Sequence, residues 1–116
     1  MQGKSALIKL AGGLSAVAGV RSAGVACGLK KAGARDLALV TSEGVATVAA
    51  TFTMNRVQAA PVQLSRRRLR GGKFAAVVLN SGNANACTGR RGLRDAEAMA
   101  EEAARCLQRP AGKIFV

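Results

Sequence analysis

The sequence predicts an α/β fold, a mixed sheet with helices packed on it, with α+β as the alternative. Three observations carry that prediction. The apolar run Phe74-Ala75-Ala76-Val77-Val78-Leu79 reads as a buried strand. A polar loop follows it, and then the segment Leu93 to Leu107, whose apolar residues recur at three and four as on one helix face. Upstream, Leu37, Ala38, Leu39 and Val40 are apolar on both alternating sets, as in an inner strand covered on two faces.

The elements follow in order. Residues 1–11 read as a poorly ordered tail, and Gly12, Gly13 and Gly19 punctuate a loop or irregular strand. Val25 and Leu29 are expected as buried points. Lys30 to Arg35 reads as an exposed hairpin-like connection. Asp36 to Thr41 reads as a strand, Ser42-Glu43-Gly44 as a turn, and Val45 to Thr53 as a second strand on its Val, Thr and Phe content. Asn55-Arg56 closes it.

A short helix is expected over Ala59 to Leu69, with Pro61 tolerated in its first turn and Val62, Leu64 and Leu69 as packing points. Gly71-Gly72 ends it. Arg66, Arg67, Arg68 and Arg70 fall at its C-terminal end, where cations meet the negative end of the helix dipole. The strand Lys73 to Leu79 comes next. In the helix Leu93 to Leu107, the inward set is Leu93, Ala96, Ala100, Ala103 and Leu107, with Met99 beside it. Asp95 and Glu97 stand early, Arg105 and Arg109 late, and Glu101 to Arg105 is a favourable i,i+4 pair. Pro110 stops the helix.

Composition bounds the rest. The 116 residues read as one domain with no linker, residues 1–116. The apolar fraction is 49%, but alanine and valine supply much of it, and Phe52, Phe74 and Phe115 are the only aromatics. Small side chains bury little area each, so the hydrophobic term per residue is weak. A subdomain that packs against the rest of an enzyme has this content, so the domain is expected to be incomplete. No apolar run approaches the roughly 20 residues that span a bilayer, so no membrane partner is expected. A cytoplasmic location is expected, since it fits three reduced thiols. The acid-free first 35 residues leave a mitochondrial leader as the alternative, disfavoured by the text that begins at Arg21.

Three cysteines (Cys27, Cys87, Cys106) without close pairs argue against a disulfide framework or a zinc site, and they read as small buried hydrophobes. With no histidine, no Ser-His or Cys-His nucleophile pair exists, and no metal or cofactor is expected. The net charge of +12 admits a basic, non-enzymatic nucleic-acid-binding module as the alternative function. The lack of Trp and Tyr removes the usual stacking platform, which weakens that alternative. The arginines from Arg66 onward read instead as a solvated helix face with counter-charges elsewhere.

The loop Asn80-Ser81-Gly82-Asn83-Ala84-Asn85-Ala86-Cys87-Thr88-Gly89 carries the most information. It lies at the carboxyl end of a strand, where α/β proteins place sites. Its amides either shape a pocket or satisfy neighbouring backbone groups and cap the next helix. Asn83 and Asn85 are the candidates for a supporting shell, with no catalytic residue.

This loop resembles the ornithine acetyltransferase family, the glutamate N-acetyltransferases of arginine biosynthesis. Arg21-Ser22-Ala23-Gly24-Val25-Ala26-Cys27-Gly28-Leu29-Lys30-Lys31, Asp36 to Val40, and Phe52 to Val62 are similar to that family's text in the same order. The resemblance implies a partial domain of the ornithine acetyltransferase fold, the N-terminal part of its α chain. It implies acetyl transfer from N-acetylornithine, or from acetyl-CoA, to glutamate through an acetyl-threonine. The implied partners are the remainder of the α chain and the β chain, as a hetero-oligomer. The nucleophilic threonine sits in a Met-Ala-Thr-Met-Leu type word, and the oxyanion-hole residues in a Ser-Thr-Gly word after the strand that here reads Lys113-Ile114-Phe115-Val116. Neither word occurs in these 116 residues. The expectation is a chain that is inactive and poorly folded or aggregating by itself.

Overall fold

The strongest apolar runs become the sheet. The computed structural model describes residues 7–116. Four strands, β1 (Val20–Val25), β2 (Leu37–Thr47), β3 (Lys73–Asn80) and β4 (Ile114–Phe115), lie in the order β1-β2-β3-β4. β1 and β2 pair antiparallel, as do β2 and β3, whereas β3 and β4 are parallel, which makes the sheet mixed. Helix α1 (Ala60–Leu69) joins β2 to β3, and helix α2 (Gly89–Leu107) is the crossover between the parallel pair. Single 3-10 turns lie at Leu14–Ala16 and Ala111–Lys113.

Several expectations change. Residues 1–6 of the expected tail lie outside the described residues, and residues 7–10 carry no helix or strand. The stretch around Gly19 to Gly24 is largely an edge strand, β1. Val25 and Leu29 are exposed at 53% and 41%: Val25 ends the edge strand, and Leu29 lies in the connection that follows it. Lys30 to Arg35 is the exposed connection between antiparallel strands, as expected.

Ser42-Glu43-Gly44 is not a turn between two strands. It is a bulge inside one continuous β2: the register runs Thr41↔Ala76 and then resumes at Ala46↔Phe74. The two hydroxyls explain how the chain tolerates it. Thr41 Oγ1 donates to the Ala75 carbonyl at 3.0 Å and Ser42 Oγ reaches the same carbonyl at 3.3 Å. Side chains thus satisfy an acceptor that the broken ladder leaves free. Strand structure ends at Thr47, and residues 48–59 are irregular rather than strand. There Asn55 builds a local turn, its Oδ1 accepting the Val57 N–H at 3.0 Å.

Both helices appear where the periodicity puts them. In α1, Pro61 sits in the first turn and Leu64 is buried, with Val62 and Leu69 half-buried. Helix α2 begins a turn before Leu93, at Gly89, so its first turn holds Arg90 and Arg91 and no acid. The macrodipole is not complemented there. Arg105 pairs with Glu102 at 2.5 Å, one turn back at i,i+3, rather than with Glu101.

The core sits where α1, α2, β3 and β4 meet. Among the described residues its buried apolar members are Ala60, Leu64, Ala75, Ala76, Val78, Ala96, Ala100, Ala104, Ile114 and Phe115, six of them alanine. Leu37 and Leu39 pack against it from β2. Cover is one-sided at β2: Leu37 to Ser42 are all half-buried rather than enclosed on two faces.

The α1 arginines have partners within the chain. Arg67 meets Glu97 at 2.8 Å, Arg68 donates to the Ile114 carbonyl, and Arg66 donates to the Thr53 carbonyl at 2.9 Å while lying over the Phe52 ring at 5.3 Å. They therefore anchor α2, β4 and the 48–59 segment, a role the sequence reading of a solvated face did not include. Ser65, buried at 5%, does the same for the end of the chain. Its hydroxyl donates to the Val116 carbonyl at 2.9 Å and accepts the Val116 N–H at 3.2 Å.

An alanine seam has no room for larger groups. Ala100 is fully buried, so Ala100→Leu lowers stability by about 1–3 kcal/mol through overpacking. A urea denaturation midpoint measures this; an unchanged midpoint would mean that the seam is loose.

Candidate functional site

The loop that leaves β3 is held from three directions. Ser81 donates its N–H to the Asp36 carbonyl at 2.8 Å, which ties the loop to the start of β2. Asn80 Nδ2 donates to the Asn83 carbonyl at 2.9 Å, which closes the loop on itself. Asn85 supplies the third hold. Its carbonyl accepts the Ala60 N–H at 3.1 Å, at the start of α1. Its Nδ2 donates to the Gly92 carbonyl at 2.7 Å in the first turns of α2, and its Oδ1 accepts the Thr88 hydroxyl.

This arrangement replaces ordinary capping. Ala59 offers no side-chain cap to α1, and Thr88 offers none to α2 because its hydroxyl is turned to Asn85. The asparagine carbonyl meets one of α1's orphan donors instead. The capping expected of the loop therefore falls on α1 through a backbone carbonyl.

Gly92 makes the contact feasible. A Cβ at this position would overlap Thr88 Oγ1 and Asn85 Oδ1. The residue is buried inside α2, where a glycine ordinarily costs about 0.5–1 kcal/mol relative to alanine. The sequence reading passed over it. An isolated glycine inside a helical pattern was the available signal of a close approach.

A recess of about 300 Å³ lies beside the loop, walled by Leu29, Leu37, Asn80, Asn83, Thr88 and Met99. A second of about 300 Å³ lies on its far side, around Gln58, Gln63, Cys87 and Arg90. Asn83 and Asn85 both line the first recess, and Asn85 also spends its amide on Thr88 and Gly92. The polar lining of the first recess is mostly carboxamide and hydroxyl. Such groups donate and accept hydrogen bonds but do not take up a proton near neutrality. Asp95, at the rim, is exposed and lies 3.9 Å from Arg91. The recess can bind and orient, and Asp95 is the one carboxylate among its lining residues.

Asp36 is the second residue that the sequence reading did not single out. It is 3% exposed. Its Oδ1 accepts the Cys27 N–H at 2.6 Å and its Oδ2 the Lys30 N–H at 2.8 Å. These two backbone donors, Cys27 first, hold its carboxyl well below the usual carboxylate range. The same carboxylate, beside the Cys27 side chain, pushes that thiol up. All three cysteines are exposed, against the expectation of burial. Cys87 adopts φ +57°, in the left-handed region, within the loop's tight course to α2.

Comparison with known proteins agrees with this geometry. The pattern of the ArgJ family matches residues 21–116, and the chain belongs to that family. The arginine biosynthesis bifunctional protein ArgJ of Thermobifida fusca is 50% identical over 104 residues, 89% of this chain and 27% of the relative. The protein of the same name from Mycolicibacterium paratuberculosis is 54% identical over 96 residues, 82% of this chain and 24% of the relative. The chain therefore spans about a quarter of the length of these relatives. Among solved structures, ArgJ of Bacillus halodurans superposes with a TM-score of 0.87 at 37% identity, covering 90% of this chain and 55% of that one. Ornithine acetyltransferase of Mycobacterium tuberculosis, complexed with ornithine, gives 0.85 at 48% identity, over 90% and 57%. The mixed sheet with two helices is thus a part of the ArgJ fold. The nucleic-acid-binding module finds no support in these matches.

Two outcomes follow from the site. Gly92→Ala pushes Asn85 and Thr88 off α2 and lowers the thermal midpoint, while the neighbouring exposed change Ala98→Ser moves it little; circular dichroism during heating compares them. For Asp36, the folded-state value lies below the unfolded one. Its contribution is therefore present above the ordinary aspartate value of about 3.9 and is lost as pH falls further. Asp36→Asn makes the acid limb of a stability–pH profile shallower, and an identical limb in both chains would contradict the assignment.

Proposed function

We propose that this chain forms one wall of a bifunctional ornithine acetyltransferase and N-acetylglutamate synthase, and that it supplies no reacting atom. In the assembled enzyme an acetyl group passes from N-acetylornithine, or from acetyl-CoA, to glutamate. The β3–loop–α2 unit stands beside the pocket. Asn83 and Asn85 act as supporting residues: Asn85 by joining α1 to α2, Asn83 by facing the recess. The partners are the polypeptide that makes up the rest of the relatives' α chain and their β chain, in a hetero-oligomer. The chain is one incomplete domain, and a cytoplasmic location suits its reduced thiols.

The observation that carries this reading is the fold match to ArgJ over 90% of the chain, at 37–48% identity, together with its span of a quarter of the relatives. Surface chemistry supports it. An apolar groove lies open between the sheet and α2, walled by Val25, Leu37, Leu39, Val78, Met99 and Ala103. On the other side of β3, Leu79 is 45% exposed. Such surface is costly to leave in water, at about 25 cal/mol per Å², and is characteristic of an interface. Among the described residues no helix is long and apolar enough to cross a membrane.

The purified 116-residue chain, incubated with labelled N-acetylornithine and glutamate, is expected to form no N-acetylglutamate. Co-expression with the polypeptide corresponding to the rest of the Thermobifida fusca relative is expected to give a soluble complex. Turnover by the chain alone, or the absence of any complex, would overturn the reading.

A further inference from the structure

We propose that Asp36 is a positioning residue for the recess beside the asparagine loop: its carboxylate fixes the Leu29 wall of that recess against Asn80 to Asn83. The proposal rests on the reading that the recess belongs to a substrate pocket, but the test below involves no acetyl transfer, so the two can fail separately.

Four polar atoms of Asp36 are engaged at once. Its N–H donates to the Val25 carbonyl at 3.0 Å, and its carbonyl accepts the Ser81 N–H at 2.8 Å. Its two carboxylate oxygens take the Cys27 and Lys30 N–H groups. The segment 25–30 is thereby held at both ends, with Leu29 between the two captured amides. One residue therefore links the turn after β1 to the loop after β3.

The two segments touch directly. At Gly82, φ +103°, an added Cβ would lie 2.9 Å from Lys30 Cγ and 3.5 Å from the Leu29 carbonyl carbon and oxygen. The loop after β3 therefore runs alongside the Leu29–Lys30 backbone, with the Lys30 side chain as its tightest neighbour. Among the described residues Asp36 makes no ion pair, so its hold is through directional N–H donors and not a diffuse attraction. Charge-assisted bonds to backbone donors are short and angle-dependent, which suits them to setting the position of a wall. Leu29 itself is 41% exposed, so apolar burial alone does not fix it.

The test uses the whole chain carrying Cys87→Ser and Cys106→Ser, which leaves Cys27 as the single thiol. Iodoacetamide alkylation against pH reports the carboxylate beside Cys27, and Asp36→Asn is expected to move the profile to lower pH. Amide hydrogen exchange is expected to quicken on the order of tenfold at Cys27, Lys30 and Ser81, with β2 and β3 core amides such as Val40 and Val77 unchanged. A second variant, Gly82→Ala, displaces the loop without touching the carboxylate. It is expected to quicken exchange at Lys30 and Ser81 while the alkylation profile stays in place. Faster exchange at Cys27 and Lys30 with Ser81 unaltered would reduce Asp36 to a local turn staple and overturn the proposal. Equal quickening across the sheet, or an unmoved alkylation profile in Asp36→Asn, would overturn it as well.

Discussion

The structure turns on the hydrogen bonds of Asn85. One residue in the β3–α2 connection gives its carbonyl to the start of α1 and its amide to the first turns of α2. Each bond contributes only about 0.5–1.5 kcal/mol net. Their effect is larger than that because they share an origin. If the loop moves, the Ala60 N–H and the Asn85 carboxamide lose their acceptors together, and unsatisfied donors cost more than a made bond returns. Gly92 is the counterpart of this arrangement. The intrinsic penalty of glycine in a helix is accepted because any side chain would occupy the space of Asn85 Oδ1 and Thr88 Oγ1.

Close approach of this kind requires small residues throughout. Alanines on α1, α2 and β3 let the helices sit near the sheet and each other. The consequence is a core with good contact and limited buried area per residue. Ile114 is the one large residue below 2% exposure among those described. Polar ties therefore carry a share of the cohesion: Ser65 on Val116, Arg68 on Ile114, Arg67 on Glu97. The arginines that dominate the net charge are in part engaged in this way, so the charge follows from architecture as much as from surface chemistry.

Much of the fold was legible because periodicity and terminators agreed. α1, β3 and α2 combine an apolar pattern with Pro61, Gly72 or Pro110 at their ends. The failures share another cause. β1 has the pattern of a loop because an edge strand buries little, and Val20 to Val25 contains serine, glycine and arginine. The β2 bulge reads as a turn because Ser-Glu-Gly is turn chemistry; only the pairing with β3 shows that hydroxyls were repairing a ladder. The cysteines were assigned to the core by general preference, which the tertiary context overrode. Of the site, the asparagine loop was visible in the sequence. Asp36 was not, because its role depends on contacts with residues 27–30 that no local pattern encodes; Gly92 left only the signal of a glycine in a helical stretch, and its partners at 85–88 show only in the fold.

The chemistry around the loop sets what it can do. Carboxamides, a hydroxyl and the Asp95 carboxylate line the recess, with Leu29, Leu37 and Met99 as the apolar part. Such a lining offers both hydrogen-bond donors and acceptors beside an apolar surface. Moving an acetyl group demands more: a nucleophile, a base to activate it, and donors aimed at the developing oxyanion. Among the described residues the one buried carboxylate, Asp36, is unsuited to the base's part. Two backbone donors keep it ionised far below neutrality, so it is a poor proton acceptor, and it is committed to a structural contact. The hydrogen bonds of Asp36 and Asn85 thus hold backbone to backbone around the recess.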